Sequence, residues 1–289
     1  MPDRVIEIPF SELVPFHNHP FKVVDDESMA ELAESIRDRG VLVPAIVRPR
    51  RAGGYEIIAG HRRQRGCELA GMDRLPAIVR DLDDDAATII MVDSNIQREG
   101  LLPSERAYAY KMKLDALKHQ GQRTDLTSVQ VGRKLERQES RDILAEQFGQ
   151  SRSQISRYIR LTELIPPLME MVDDQRIAFS PAVELSYLSY LEQNQLLDAM
   201  ESEQTTPSLS QAQRLKRFAQ AGMLSPEVMC AVLSEEKKGD LDRVTLSHDT
   251  LKKYFPASYT PRQMESTILR LLEGWHRRQI ENRPDDRRR

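Results

Sequence analysis

Two short runs in this 289-residue sequence carry the side chains and spacings of an anion site: Gly60-His61-Arg62-Arg63 and Ser94-Asn95-Ile96-Gln97-Arg98-Glu99. The first follows Ile57-Ile58-Ala59, so it reads as a strand that ends in glycine and a helix that opens on His61, Arg62, Arg63 and Arg65. Cations at the positive end of a helix dipole cost a few tenths of a kcal/mol up to about 1 kcal/mol each. A bound phosphate reverses that sign, because backbone N–H groups and guanidinium forks then converge on one anion. Gly60 lets the backbone come close. In the second run, helical spacing puts Ser94, Asn95 and Arg98 on one side and Ile89, Val92 and Ile96 on the other. Ser94 and Asn95 offer oxygens to Mg2+ or its waters, and Arg98 offers a guanidinium to phosphate. The plainer alternatives are that the Arg side chains pair in water with Asp83, Asp84 or Asp85, and that Ser94 to Arg98 is an ordinary polar helix face.

A third pattern lies about fifty residues downstream. In a twenty-residue helix-turn-helix frame beginning at Arg141, the fifth position is Ala145, where close helix packing needs a small side chain. The ninth is Gly149, where the turn needs positive φ, and the fifteenth is the branched Ile155. Ser151 with Gln154 three residues on has capping-box spacing. Ile155 and Ile159 point inward, Ser153, Arg157 and Arg160 lie opposite, and Arg152 stands at the helix tip. Ser151, Arg152, Ser153, Gln154, Ser156, Arg157 and Arg160 are thus the candidate groove contacts, the first few to bases and the later Arg to phosphates. A plain helical hairpin with a solvated Arg face is the alternative.

The elements that must position these groups divide the chain. Residues 1–118 alternate strands (Val5 to Ile8, Ala45 to Arg48, Tyr55 to Ile58, Ala77 to Val79) with helices. Ser28 with Glu31 is read as a capping-box start, and Gly40 closes that helix. Later helices run over Asp84 to Arg98 and Pro103 to Lys118. Residues 119–140, rich in Gly, Gln, Thr and charge, read as a mobile linker. Residues 141–235 are all-helical, with breaks at Pro166-Pro167, Pro181, Pro207 and Pro226. Residues 240–289 offer a short strand (Val244 to Leu246), a helix through Tyr254, and a longer helix in which Met264, Ile268, Leu271, Leu272 and Trp275 form an apolar stripe. That stripe suits either an internal core or dimerisation.

The net charge of −3 does not advertise nucleic acid, so charge is read locally. Ser151 to Arg160 holds three Arg and no acid, and His276 to Arg289 holds six Arg against three acids, a solvated tail first and a phosphate contact second. Cys67 and Cys230 stand apart from each other and from His clusters, which argues against a disulfide framework or a zinc site. No apolar run approaches membrane length, and a cytoplasmic, DNA-associated, soluble protein is expected.

The ordered runs resemble the ParB partition family, with its ParB/sulfiredoxin-like α+β N-terminal fold followed by an all-α helix-turn-helix domain; here a small C-terminal α(β) segment follows. Leu32 to Ile36 with Gly40-Val41-Leu42-Val43-Pro44 resembles the family's first nucleotide-contacting box, Gly60 to Arg63 its Gly-Glu-Arg-Arg box, and Ser94 to Glu99 its Glu-Asn-x-Gln-Arg-Glu box. Leu102 to Glu105 resembles the segment after that box, and Gly149 to Leu161 the family's helix-turn-helix. The resemblance implies a dimeric CTP- and Mg2+-dependent clamp that loads on a palindromic centromere-like site in double-stranded DNA and slides. It puts the base beside Gly40, Val41, Leu42 and Pro44, the nucleotide against Gly60, His61, Arg62, Arg63, Ser94, Asn95 and Arg98, and the metal on Asn95. His61 and Ser94 replace two family carboxylates, and Asp93 lies about 100° around the helix from Ser94. Binding is therefore expected more firmly than hydrolysis, and catalytic residues are left unassigned. Members also partner a ParA-type ATPase. The sequence starts almost at its first strand, so the basic arm that many use for that contact is expected to be missing and the partnership is implied less strongly. A nucleotide-independent repressor of a plasmid or mobile element is the second reading. An enzyme on the same fold is the third; Gly60 stands where sulfiredoxin chemistry needs a nucleophilic Cys, and Cys67 lies almost two turns into the helix.

Overall fold

The computed structural model describes residues 4–124, 132–235, 254–255 and 259–281. They fall into two compact units divided after Glu235. In the first, strands β1 (Val5–Pro9), β2 (Leu13–Pro15), β3 (Ala45–Pro49), β4 (Tyr55–Ala59) and β5 (Arg74–Val79) form one mixed sheet in the order β1-β5-β3-β4-β2. β1 runs antiparallel to β5 and β3 antiparallel to β4, while β3–β5 and β2–β4 are parallel pairs.

Successive strand residues face opposite sides of a sheet, and β4 shows it. Ile57 packs into a core with Ile36 of α1 (Glu27–Arg39) and Cys67 of α2 (His61–Leu69), whereas Ile58 packs against Met91 and Val92 of α3 (Asp84–Asn95). The sheet therefore holds α1 and α2 on one face and α3 on the other. Asp26, not Ser28, caps α1: its carboxylate accepts the Met29 N–H at 2.9 Å, and the Ser28 hydroxyl donates to that carboxylate. Helix α3 stops at Asn95, three residues before the expected Arg98. Val92 and Ile96 are buried as expected, and Ile89 is half-buried.

Helix α4 (Pro103–Thr124) is the joint of the unit. Its Ala109, Tyr110 and Leu114 enter the α3 core together with Leu144 of α5 (Gly132–Phe148) and Ile155 of α6 (Arg152–Leu161), while Ala107 enters the next core. The linker expected over 119–140 is thus corrected: residues 119–124 end α4, residues 132–140 begin α5, and 125–131 lie outside the described residues. The sheet-containing region and the helical region also share one continuous core instead of meeting across a tether. Helices α7 (Pro166–Asp173), α8 (Phe179–Leu185), α9 (Tyr190–Ser202), α10 (Leu209–Gln220) and α11 (Pro226–Leu233) close the unit around Leu168, Leu185, Leu196 and Leu215. Pro166 and Pro226 stand at first helical positions, where a missing N–H costs nothing.

In the second unit the described helix is α12 (Pro261–Glu281). Its Met264 is buried and Ile268 half-buried, whereas Leu271, Leu272 and Trp275 are exposed. The strand expected over Val244 to Leu246, the helix leading to Tyr254 and the terminal Arg run lie outside the described residues.

Candidate functional site

The loop between β2 and α1 is held over the start of α2 by side-chain acceptors. The Phe16 N–H donates to His61 Nε2 at 3.3 Å, the His17 N–H to Glu56 at 3.1 Å, and the Lys22 N–H to Glu105 at 2.7 Å. Phe16 and Phe21 are buried, so the loop is also pinned by its apolar side chains. A cavity of about 280 Å3 opens beneath it, lined by His19, Phe21, Lys22 and Val23 of the loop, Ala59 to Arg63, and Ser94, Asn95 and Arg98. The two runs read as an anion site thus meet in one cavity.

Gly60 makes the turn into α2 with φ of 119°, and a Cβ there would lie 2.9 Å from the Ala45 Cβ. Only glycine meets both demands. Arg62 donates Nη2 to the Ser28 hydroxyl at 2.7 Å and lies 3.8 Å from Asp26, yet its buried Nη1 has no partner. Buried guanidinium donors are rarely left unmet, so Arg62 is poised for an anion in the cavity. Arg63 has a different task. Its Nη1 donates to the carbonyls of Val43 and Pro44 at 2.7 and 2.5 Å, tying the Gly40 to Pro44 loop to α2. That loop does not line the cavity, and Leu42 and Val43 are exposed. Arg65 turns away to Asp25 and Glu68.

His61 is not one of the cations at the start of α2. Its Nε2 accepts a hydrogen bond, so the ring is neutral with its proton on Nδ1. Burial, the neighbouring His19 and the charge of Arg63 lower its pKa to about 3. The two imidazole rings lie 3.9 Å apart. His19 donates Nδ1–H to the Phe21 carbonyl at 2.8 Å, which leaves its buried Nε2 as an acceptor without a partner. Burial lowers the His19 pKa as well.

The cavity has no carboxylate in its lining, and Lys22, Arg62, Arg63 and Arg98 supply its charge. Asn95 Nδ2 donates to the Met91 carbonyl and the Ser94 hydroxyl, which leaves the amide oxygen as an acceptor. This set fits a polyanion with hydroxyl or amino donors. It fits a divalent cation through the Asn95 amide oxygen together with oxygens the ligand itself brings, and among the described residues no group of three His, Cys, Asp or Glu could hold a metal. Arg98 reaches the cavity from the turn after α3, where its N–H bonds the Asn95 carbonyl at 3.0 Å, and not from the helical face first expected. Asp93, set aside by helical angle, points to Lys113. Cys67 is buried, and burial together with Glu7 and Glu68 raises its thiol pKa, which removes it as a nucleophile. His19, Phe21, Lys22 and Val23 escaped the sequence reading; the only cue was the crowded His17-Asn18-His19-Pro20 run.

The helix-turn-helix forms in the expected frame. Gly149 has φ of 58°, the Ser151 hydroxyl accepts the Gln154 N–H at 3.1 Å, and Ile155 is fully buried. Ser151, Arg152 and Ser153 are exposed at the tip, Arg152 paired with Asp142 of α5, while Gln154 and Ser156 are half-buried. Arg157 and Arg160 are half-buried, not fully outward, because residues of α8 and the turn after it take their side chains. Arg157 bonds the Ser180 hydroxyl at 2.7 Å and stacks on Phe179, while Arg160 bonds the Ser186 carbonyl at 2.6 Å and stacks on Tyr187. No described helix is long and apolar enough to cross a membrane.

Comparison with known proteins gives the same two parts in the same order. Residues 2–96 match the ParB N-terminal domain and residues 134–215 the ParB HTH domain. The chromosome-partitioning protein Spo0J of Thermus thermophilus is 34% identical over 224 residues, 77% of this chain and 74% of that protein. A probable chromosome 1-partitioning protein ParB of Deinococcus radiodurans is 38% identical over 164 residues, 56% of this chain and 49% of its own length. Among solved structures, C-terminally truncated ParB of Caulobacter crescentus complexed with CTP-gamma-S is 28% identical, with a TM-score of 0.31, over 63% of this chain and 92% of that one. The chain spans about half of the Deinococcus relative and three quarters of the Thermus one. With a helix-turn-helix joined through one core to a cation-lined cavity, and with this likeness over three quarters of its length, the chain belongs to the ParB family of partition proteins.

Proposed function

We propose that the chain is a DNA-binding partition protein whose grip on DNA is set by a cytidine triphosphate held in the cavity beneath the β2–α1 loop. The observation that carries this reading is the buried, unpartnered Nη1 of Arg62 in a cavity lined by four cations and no carboxylate. Arg62, Lys22, Arg98 and the first N–H groups of α2 receive the phosphates, with Gly60 permitting their approach. His61 keeps the loop in place as a neutral acceptor. The choice of cytidine rests on the resemblance of the ordered boxes, which gives the base to the Gly40 to Pro44 loop, a loop that does not line the cavity but is tied to it through Arg63. Asn95 would offer its amide oxygen to Mg2+ bound with the triphosphate, an ion that would neutralise phosphate charge. The bound nucleotide supplies negative charge and a tie between elements; the chain supplies binding and orientation. With His61 neutral and no carboxylate at Ser94, turnover is slow or absent.

On the DNA side, Ser151, Arg152, Ser153, Gln154 and Ser156 enter the major groove, while Arg157 and Arg160 brace the reading helix against α8. A two-fold dimer, for which the exposed Leu271, Leu272 and Trp275 of α12 are available, reads an inverted repeat. A ParA-type ATPase is a further partner that the resemblance implies less strongly. Calorimetry with each of the four nucleoside triphosphates, with and without Mg2+, tests the pocket: CTP binds selectively, and Arg62→Gln weakens it at least tenfold, whereas Arg65→Gln does not. Equal, feeble binding of all four would end the nucleotide reading. It would leave a nucleotide-independent regulator, the second reading, whose footprint stays on one inverted repeat instead of spreading when CTP is added.

A further inference from the structure

We propose that Lys113 couples the nucleotide cavity to the DNA reader, as the buried link through which α3 and α5 move together; this rests on the functional reading above. Lys113 lies on α4 and is 1% exposed. Its ammonium bonds the Asp93 carboxylate of α3 and, at 2.6 Å, the Gln147 side-chain oxygen of α5, and it sits 4.8 Å from the centre of the Phe148 ring. Asp93 directly precedes Ser94 and Asn95, which line the cavity. Gln147 and Phe148 directly precede Gly149, where the chain turns into the reading helix. One buried cation therefore touches the residue beside the nucleotide contacts and the residues beside the DNA-reading turn.

The pair is asymmetric. The Asp93 side chain is 44% exposed, so water can receive its charge when it is released, whereas the Lys113 ammonium is shut inside α3, α4 and α5. A buried charge that loses its counterion bears the full cost of desolvation. A shift of the C-terminal end of α3 that drew Asp93 away would leave Lys113 in that state. The less costly response is for the ammonium, and with it Gln147 and the Gly149 turn, to follow Asp93. The surrounding core, with Met91, Val92 and Ile96 of the α3 segment against Tyr110, Leu114, Leu144 and Ile155, gives the movement a packed path. An ordinary structural ion pair would add to stability and leave the two sites independent.

Coupling is reciprocal and is read as a ratio: the CTP dissociation constant without DNA divided by that with a duplex the protein has itself selected from a random pool. The full chain is expected to show a ratio in the usual range of about 5 to 150. In Lys113→Met the ratio falls to within about twofold of one, while CTP alone and duplex alone each bind within about threefold of the unaltered protein. Asp93→Asn, which keeps the shape and an acceptor oxygen but removes the counterion, behaves the same way and covers the case in which Lys113→Met fails to fold. If both variants lose thermal stability yet keep the ratio, the link is only structural and the proposal is overturned. A ratio of one in the unaltered protein overturns it together with the nucleotide switch. An intact ratio in the unaltered protein and in Asp93→Asn overturns the Lys113 link alone.

Discussion

The neutral His61 makes stability fall steeply in mild acid, and the size of the fall follows from its surroundings. In the unfolded chain its imidazole takes a proton near its ordinary value of 6.5; in the folded protein burial, His19 and Arg63 hold that pKa at about 3. Between those values the unfolded chain binds more protons than the folded one. Stability therefore rises with pH across that window and is flat above it, at about 1.4 kcal/mol per pH unit for one such group. Integrated from pH 7 to pH 5, His61 alone removes about 2 kcal/mol. His19, shifted in the same direction, adds to the loss.

Urea unfolding at pH 7 and pH 5, with His61→Gln beside the unaltered protein, isolates this contribution. The Gln amide oxygen can still receive the Phe16 N–H but takes up no proton, so the variant escapes the His61 share of the acid loss. For an m-value of about 2 kcal/mol per M, the unaltered protein should lose about 1 M more of its midpoint between the two pH values than the variant. Carboxylates elsewhere contribute equally to both proteins and cancel. Equal losses in the two would show that His61 is solvated and protonates freely in the folded state, and with that the neutral-acceptor account of the β2–α1 loop would fail.

Two further outcomes test the geometry around each site. Gly60→Ala meets both a positive φ and a Cβ 2.9 Å from that of Ala45, so thermal unfolding should show a loss of about 1–3 kcal/mol, and a loss below about 0.5 kcal/mol would mean that β3 and the turn give way easily. Arg157→Ala and Arg152→Ala should separate bracing from contact: the first lowers the melting temperature by stripping α6 from Ser180 and Phe179, while the second leaves melting nearly unchanged and weakens duplex binding in fluorescence anisotropy, and the reverse pattern would reassign both residues.

What could be read ahead of the structure was what local chemistry imposes. Gly60 and Gly149 announce turns because positive φ leaves few alternatives, and the strand-then-basic-helix order around Gly60 is visible without knowing the partner strands. His19, Phe21 and Lys22 were not legible, because a loop without period gives no direction and is held by acceptors as distant as Glu105. Arg157 and Arg160 show the same limit from the other side. Helical spacing placed them opposite Ile155 and Ile159 but could not say that Ser180 and Ser186, some twenty residues later, bond them. Residues 119–140 misled for a different reason: weak apolar periodicity suggested a linker, yet Gln, Arg, Lys and Glu are good helix formers and continue α4 and begin α5.

The replacement of two family carboxylates by His61 and Ser94 acquires a physical meaning from the cavity. A carboxylate at position 61 would sit at the positive end of α2, charged and stabilised there, and would compete with an incoming phosphate for the same N–H groups. A neutral imidazole does neither, and it spends its one lone pair on the Phe16 N–H. The Ser94 hydroxyl donates to the Met91 carbonyl and accepts from Asn95, so it too brings no negative charge. Both changes raise the net positive charge seen by a triphosphate and remove ligands from a divalent cation. Under the proposed nucleotide reading, tighter retention of a triphosphate and weaker metal activation would follow from this one cause.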